Sequence, residues 1–241
     1  MSNNLGRFRS GKEKEYFLRR KKILKSVSSN FVADNPFLFS TRQEVSDSIA
    51  RFKLFDQILD ISGYIVECGS NNGNHLVLFS LLSSVLEPYA LNRKIISFDT
   101  FDGFRSISKF DGKISTKQFS KKNLKLLKEV ISINNLNRSQ GHINKIELVV
   151  GDAVKTIPKW VKKNNQCTIA LLYIDFDIYK PTYVALKNLV NLVSKGGIIV
   201  FDQINYDKFA GETKAIKEFF NLKKTKFKRF NFHPFIGYTV V

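Results

Sequence analysis

Cysteine is nearly missing: Cys68 and Cys167 are the only two in 241 residues, and both lie in apolar, strand-like stretches. That excludes a disulfide framework and makes both small core residues in a reducing, cytoplasmic setting. No apolar run approaches the roughly 18 residues that span a bilayer. The opening stretch MSNNLGRFRSGKEKEYFLRRKKILK has no continuous apolar segment, so a secretory leader is not expected. There is no Gly-Lys-Ser/Thr, which rules out a P-loop, and no internal repeat. Neither an Asn/Asp-Pro-Pro-Tyr tetrad for a flipped base nor a recognisable RNA-binding module is present, which weighs against nucleic-acid chemistry.

Acidic residues are scarce as well: 21 Asp and Glu stand against 39 Lys and Arg, a formal charge of +18. Nine basic and two acidic residues fall within residues 1–25. Such a field draws polyanions, whether nucleic acid, anionic lipid headgroups or phosphorylated sugars. The competing reading is that the lysines only solvate the surface. Residues 1–40 form an appended arm with a basic helix around 13–26, whose YFL and RRKK runs permit peripheral contact with an anionic membrane surface. Residues 41–241 then form one α/β domain.

What is present is alternation. TRQEVSDSIARFKLFDQILD carries Val45, Ile49, Phe52, Phe55, Ile58 and Leu59 at helical spacing, a stripe expected to pack on the core. GYIVECG, KIISFDTFDGF, KIELVVGDA, TIALLYIDFDIY and SKGGIIVFDQ follow as strands. Helices are expected at HLVLFSLLSSVLE, KKNLKLLKEVISINN, from Pro181 through TYVALKNLVNLV, and at GETKAIKEFF. KFKRFNF and FIGYTVV close the chain as an antiparallel pair. The fold class is therefore α/β: a doubly wound, mostly parallel, Rossmann-like seven-stranded sheet with an antiparallel C-terminal strand and an N-terminal helical extension. A ligand belongs outside the carboxyl ends of the strands.

The stretch VECGSNNGN sits at such an end. Gly69 lets the chain turn out of the strand, and Gly73 lets a ligand approach the backbone where the next helix starts. An acid two residues before the first glycine suits S-adenosyl-L-methionine (SAM): Glu67 organises the turn and the ammonium site, and the amides of Ser70 and Asn71 meet the carboxylate. Asp99, with Thr100 behind it, ends the second strand, where a carboxylate accepts ribose hydroxyls. Asp152 and Ala153 end the third, at the adenine edge. Each Asp taken alone could equally be a helix cap or turn residue.

YIVECGSNNG, ISFDTFDGF, VVGDAVKTIP, LLYIDFDIYKPTYVALKNLVNLVSKGGIIVFDQ and GETKAIKEFF together resemble the macrocin-type sugar O-methyltransferases, over about Thr41 to Phe220. The resemblance implies a class I SAM-dependent enzyme that methylates a hydroxyl of a sugar, glycan or nucleotide-sugar acceptor with a divalent metal, Mg²⁺. The acceptor is then a small molecule or glycan, phosphorylated or otherwise anionic, and a homo-oligomer is compatible. Asp175, Asp177, Asp202 and Gln203 are the oxygen donors expected around that metal, and Asp175 also touches the cofactor. The family usually has two adjacent acids where this chain has Asp202-Gln203, and a glycine and serine where it has Asn74 and His75. Asp175 is expected to be catalytic; Lys180, His75 and His233 are candidates for the base by chemistry alone. His142 reads as a surface residue and Trp160 as a cover for the core edge. The rival functions are an RNA methyltransferase and a non-catalytic SAM-fold docking protein.

Overall fold

The structure is a computed structural model and describes residues 10–120 and 123–241. Residues 1–9 of the basic arm, with Arg7 and Arg9, lie outside it, as do Lys121 and Lys122 at the start of an expected helix. The chain divides into two compact units, the first ending at Ile49 and the second comprising Ala50–Val241.

In the first unit the expected basic helix is α1 (Gly11–Ser26), started by a capping box in which Ser10 and Glu13 satisfy each other's backbone N–H. Ser28 caps α2 (Ser29–Asp34), and Pro36 opens the short α3 (Pro36–Phe39) at a position where its missing N–H costs nothing. Ion pairs Arg42–Glu13 and Arg20–Glu44 tie this unit together at its surface.

The second unit holds a seven-stranded sheet: β1 (Tyr64–Cys68), β2 (Ile95–Asp99), β3 (Ile146–Val150), β4 (Ile169–Ile174), β5 (Val193–Phe201), β6 (Lys228–Arg229) and β7 (Gly237–Val240). The order is β3-β2-β1-β4-β5-β7-β6, with parallel pairing from β3 through β5 and β7 antiparallel to both neighbours. The chain starts in the middle, winds to one edge, then returns past β1 to the other. The point where the order reverses, between β1 and β4, is where a ligand crevice opens.

Helices cover both faces: α5 (Asn74–Leu86), α6 (Leu124–Leu136), α7 (Ala153–Lys163), α8 (Tyr179–Leu189) and α9 (Ala210–Phe219), along with α4 (Arg42–Asp56), whose last residues belong to this unit. Because strand side chains alternate, Val66, Cys68, Ile96, Phe98, Leu172, Ile174, Ile199 and Phe201 join one core with Ile157, Trp160, Ala185, Leu186 and Ile216. Ile65, Ile95, Leu171, Tyr173, Ile198 and Val200 join the other with Leu54, Phe55, Ile58, Leu76, Phe79 and Leu127. Glu67 and Tyr173 share that second face with the last turns of α4, from Ala50 on.

Three sequence expectations need correction or addition. The apolar stripe after Thr41 is only partly the expected one: Phe55 and Ile58 are buried as expected, together with Ala50, Arg51 and Leu54, whereas Val45, Ile49, Phe52 and Leu59 are exposed. At 3.6 residues per turn Ala50, Arg51, Leu54 and Phe55 make one narrow stripe; Val45, Ile49 and Phe52 face away from it, and Ile58 and Leu59 lie beyond the helix end. Helix α7 was not anticipated. It begins at the N-cap Asp152 and tolerates Pro158 in its interior, where proline ordinarily argues against a helix. Trp160 is deeper than an edge cover: it is buried, edge-on to Phe98, with its N–H on Glu147. Cys68 and Cys167 are free, buried core residues, as expected, and His142 is exposed.

Candidate active site

The ends of β1 and β4 come closest at Gly69. The Gly69 N–H donates to Phe98 O and the Asp175 N–H to Cys68 O. A Cβ on Gly69 would stand 2.1 Å from the Asp175 carbonyl oxygen, and the residue has φ +98°, so only glycine fits. Gly73, at φ +79°, is the N-cap of α5 and brings that helix's free N–H groups to the crevice. Four non-glycine residues hold left-handed backbone immediately beyond parallel strands: Asn71 after β1, Phe101 after β2, Asp177 after β4 and Asn205 after β5. Such strain, of order 1–3 kcal/mol per residue, concentrates where a site is being shaped.

Asp99 ties two of these turns together. One oxygen accepts the Asn71 N–H at 2.7 Å and the other the Phe101 N–H at 2.6 Å. Burial raises its carboxyl above the usual range, and these backbone donors pull it back. Ser70 Oγ lies 2.6 Å from Ser97 Oγ, and Thr100 is held by Gly103 O. Glu67 is fully buried and neither oxygen has a hydrogen-bond partner within range. Burial pushes it up to about 8, against the opposing pull of Ser70 and Arg51. At the end of β3, Asp152 caps α7 through the Val154 N–H and takes the Ser106 hydroxyl on its other oxygen, so both oxygens are held by protein; Ala153 is buried behind it.

Arg51 is one of two residues here, with Glu212, that sequence reading missed. It is fully buried, its Nη2 3.0 Å from Asp202 Oδ1 and 3.2 Å from His75 Nδ1, and its guanidinium lies over the Tyr173 ring at 5.1 Å. The Tyr173 hydroxyl donates to the same Asp202 oxygen at 2.5 Å. Burying a guanidinium costs several kcal/mol unless it is paired, so this pairing is a condition of the fold. In the sequence it stands among Ala50, Leu54, Phe55 and Ile58, but helical spacing alone does not mark that stripe as the buried one.

Beyond β4 and β5 the acids gather. Asp175 is raised well above the usual carboxylate range by burial and then by the charges of Asp202, Asp177 and Glu212. Asp177 is raised by burial and Asp202, with Lys208 and Gln203 opposing. Glu212, on the first turn of α9, was not expected here. It is fully buried, accepts the Gln203 N–H at 3.1 Å, and is raised by burial and by Asp177. Its helix reads as amphipathic in the sequence, which hides the fact that this glutamate points inward. Asp177 Oδ1, Gln203 Oε1 and Glu212 Oε2 are buried without a hydrogen-bond partner. No group of three or more His, Cys, Asp or Glu among the described residues already stands as a metal cage.

The insert after β2 reaches this place through Asp111, whose carboxylate accepts the N–H groups of Ser108 and Tyr179, the latter in the first turn of α8. Lys180, next in α8, is exposed. His233 is buried in the β6–β7 connection and accepts the Ile236 N–H. The structure thus gathers Glu67, His75, Asp175, Asp177, Asp202 and Gln203 at one edge of the sheet, and places Lys180 on a surface and His233 in a turn.

Residues 54–229 match the family described as macrocin O-methyltransferase (TylF). The chain belongs to this family. It is accordingly a SAM-dependent O-methyltransferase, and the fold agrees with that of solved relatives. The crystal structure of CalS11, a calicheamicin methyltransferase, is 31% identical, with a TM-score of 0.89 over 96% of this chain and 93% of that one. The apo structure of CalS11, described as a TDP-rhamnose 3'-O-methyltransferase of calicheamicin biosynthesis, is 30% identical, with a TM-score of 0.82 over 96% and 95% of the two chains. The O-methyltransferase NovP shares the fold at 18% identity and a TM-score of 0.60, over 81% of this chain and 79% of its own. No curated protein sequence matches the chain. Among the described residues, no helix of this TylF-family chain is long and apolar enough to cross a membrane.

Proposed function

We propose that the chain transfers the methyl group of SAM to a hydroxyl of a sugar, above all of a nucleotide sugar, with a divalent cation such as Mg²⁺ beside the acceptor. The observation that carries this reading is the adjacency of two unlike regions at one sheet edge. The ends of β1 and β2 offer left-handed glycines, helix N–H groups and the buried acid Glu67; the ends of β4 and β5 offer a crowd of buried acids. The first suits a zwitterionic cofactor: Glu67 for the ammonium, the amides of Ser70, Asn71 and the α5 N-terminus for the carboxylate, Asp99 for the ribose, and Thr100, Asp152 and Ala153 around the adenine. Bound there, SAM supplies an electrophilic methyl on sulfur.

The second suits a hard cation by its donor chemistry. Asp177 Oδ1, Gln203 Oε1 and Glu212 Oε2 are buried acceptors with no partner, and mutual repulsion of the acids is what a cation relieves. Asp175, Asp177, Asp202 and Gln203 would hold it with Glu212. Held there, a divalent ion would lower the pKa of a hydroxyl bound to it. The protein's share is placement: acceptor oxygen, methyl carbon and sulfur must lie in line, and rigid strand ends fix that line. One relative, CalS11, whose apo structure is described as that of a TDP-rhamnose 3'-O-methyltransferase, supports the acceptor class.

The test is transfer of labelled methyl from SAM to TDP-rhamnose, other nucleotide sugars, free glycans and RNA, each with Mg²⁺ and with EDTA. Label on a sugar hydroxyl, lost in EDTA, is expected. Label on RNA, or on none of the four, would overturn the reading.

A further inference from the structure

Arginine cannot accept a hydrogen bond and keeps its charge at any relevant pH. Arg51 Nη2 lies 3.2 Å from His75 Nδ1, so that nitrogen must be the acceptor and the ring proton must sit on Nε2. The rival arrangement would put the proton on Nδ1 and aim it at Glu67 Oε1, but that oxygen is 3.9 Å away, outside hydrogen-bond range. His75 is the second residue of α5, directly behind the cap Gly73 and its left-handed turn. It therefore stands at the turn where the cofactor's carboxylate is expected, as a neutral ring whose proton is on Nε2. The same guanidinium holds Asp202 Oδ1 at 3.0 Å, jointly with the Tyr173 hydroxyl, at the acceptor end of the site.

We infer that Arg51 is a positioning residue for methyl transfer. It fixes His75 as the Nε2–H tautomer, a donor and not a general base, and it holds Asp202 beside the acceptor. One buried cation thus ties the two halves of the site together. The inference rests on the methyltransferase reading but is tested apart from it.

The experiment uses the full chain without cofactor, labelled with ¹⁵N on its histidine rings. His75 is assigned by the loss of its signals in His75→Gln; the chain has only two other histidines. A neutral ring protonated at Nε2 is expected in the unmodified protein. Arg51→Lys, which still presents donors only, should retain that tautomer, whereas Arg51→Met, with no donor left to hold Nδ1, should show both tautomers in exchange. Titration with SAM then gives a dissociation constant about tenfold weaker in Arg51→Met, the loss expected for one charge-assisted hydrogen bond. A structural role alone would lower the melting temperature without moving the tautomer. A ring protonated at Nδ1 in the unmodified protein overturns the inference whether or not the variants fold. An unchanged tautomer in a folded Arg51→Met does the same. Failure of the unmodified protein to bind SAM would instead strike the methyltransferase reading.

Discussion

Replacing Glu67 with glutamine takes one proton-binding group out of the cofactor site, and the structure fixes the sign of the effect. The side chain is fully buried, both oxygens lack partners, and burial lifts it to about 8 from an ordinary value of 4.5. Folded chains therefore hold this proton more tightly than unfolded ones. The group's contribution to stability is complete below the ordinary carboxylate value and is lost as pH rises, the loss ending near pH 8. The shift sets an upper bound of about 5 kcal/mol on that loss. At pH 7 the free protein carries about 0.9 of a proton on Glu67. If the SAM ammonium settles against this carboxylate, the ionised form wins and nearly that whole proton leaves on binding. Calorimetry of SAM binding at pH 7, in buffers of low and high ionisation enthalpy, reads the number directly. Glu67→Gln should abolish the release and bind SAM more weakly. Equal binding enthalpies across buffers in the unmodified protein would refute the argument, since Glu67 would then keep its protonation state on binding.

Asp99→Ala should remove SAM binding, because the ribose loses its acceptor and two turns lose their shared anchor; equilibrium dialysis with labelled SAM measures it. Asp202→Asn should leave SAM affinity within about threefold but lower turnover by two orders of magnitude or more, a split visible in binding and methyl-transfer assays side by side. Gly69→Ala should cost about 3 kcal/mol or more, since the new Cβ meets the Asp175 carbonyl at 2.1 Å, and should lower the melting temperature by about 6–12 °C. Asp175, Asp177 and Glu212 are all raised by burial and by neighbouring acids, Asp202 among them, so their contribution to stability is full at acid pH and declines as pH rises through their elevated range. Millimolar Mg²⁺ should offset that decline, and melting curves from pH 6 to 9 with Mg²⁺ or EDTA would show the two conditions diverging; parallel curves would deny a cation at this site.

The legible part of the sequence was what repeats along it. Apolar strands ending in Glu67, Asp99, Asp175 and Asp202 announced both the parallel sheet and the edge where ligands meet it. What stayed hidden depends on neighbours far apart in the chain. Glu212 looks like one more charge on an amphipathic helix until α9 turns it toward the end of β5. Arg51 looks like a solvent-facing residue until the last turns of α4 lie on the sheet face that carries Tyr173. The stripe of α4 was partly misplaced for a related reason: Val45, Ile49 and Phe52 satisfy helical spacing as well as the buried set does, and periodicity alone does not say which stripe faces the sheet. Helix α7 carries Pro158 in its interior, a residue that ordinarily argues against a helix. His75 drew notice as a base because histidine often is one; only its contact with Arg51 shows which nitrogen carries the proton.

A crystal structure of the chain with S-adenosylhomocysteine addresses the central claim most directly. The ribose hydroxyls should lie on the Asp99 carboxylate and the amino group against Glu67, with the sulfur facing Asp175 and Asp202. A nucleoside bound away from the ends of β1 and β2, or none bound at all, would contradict it.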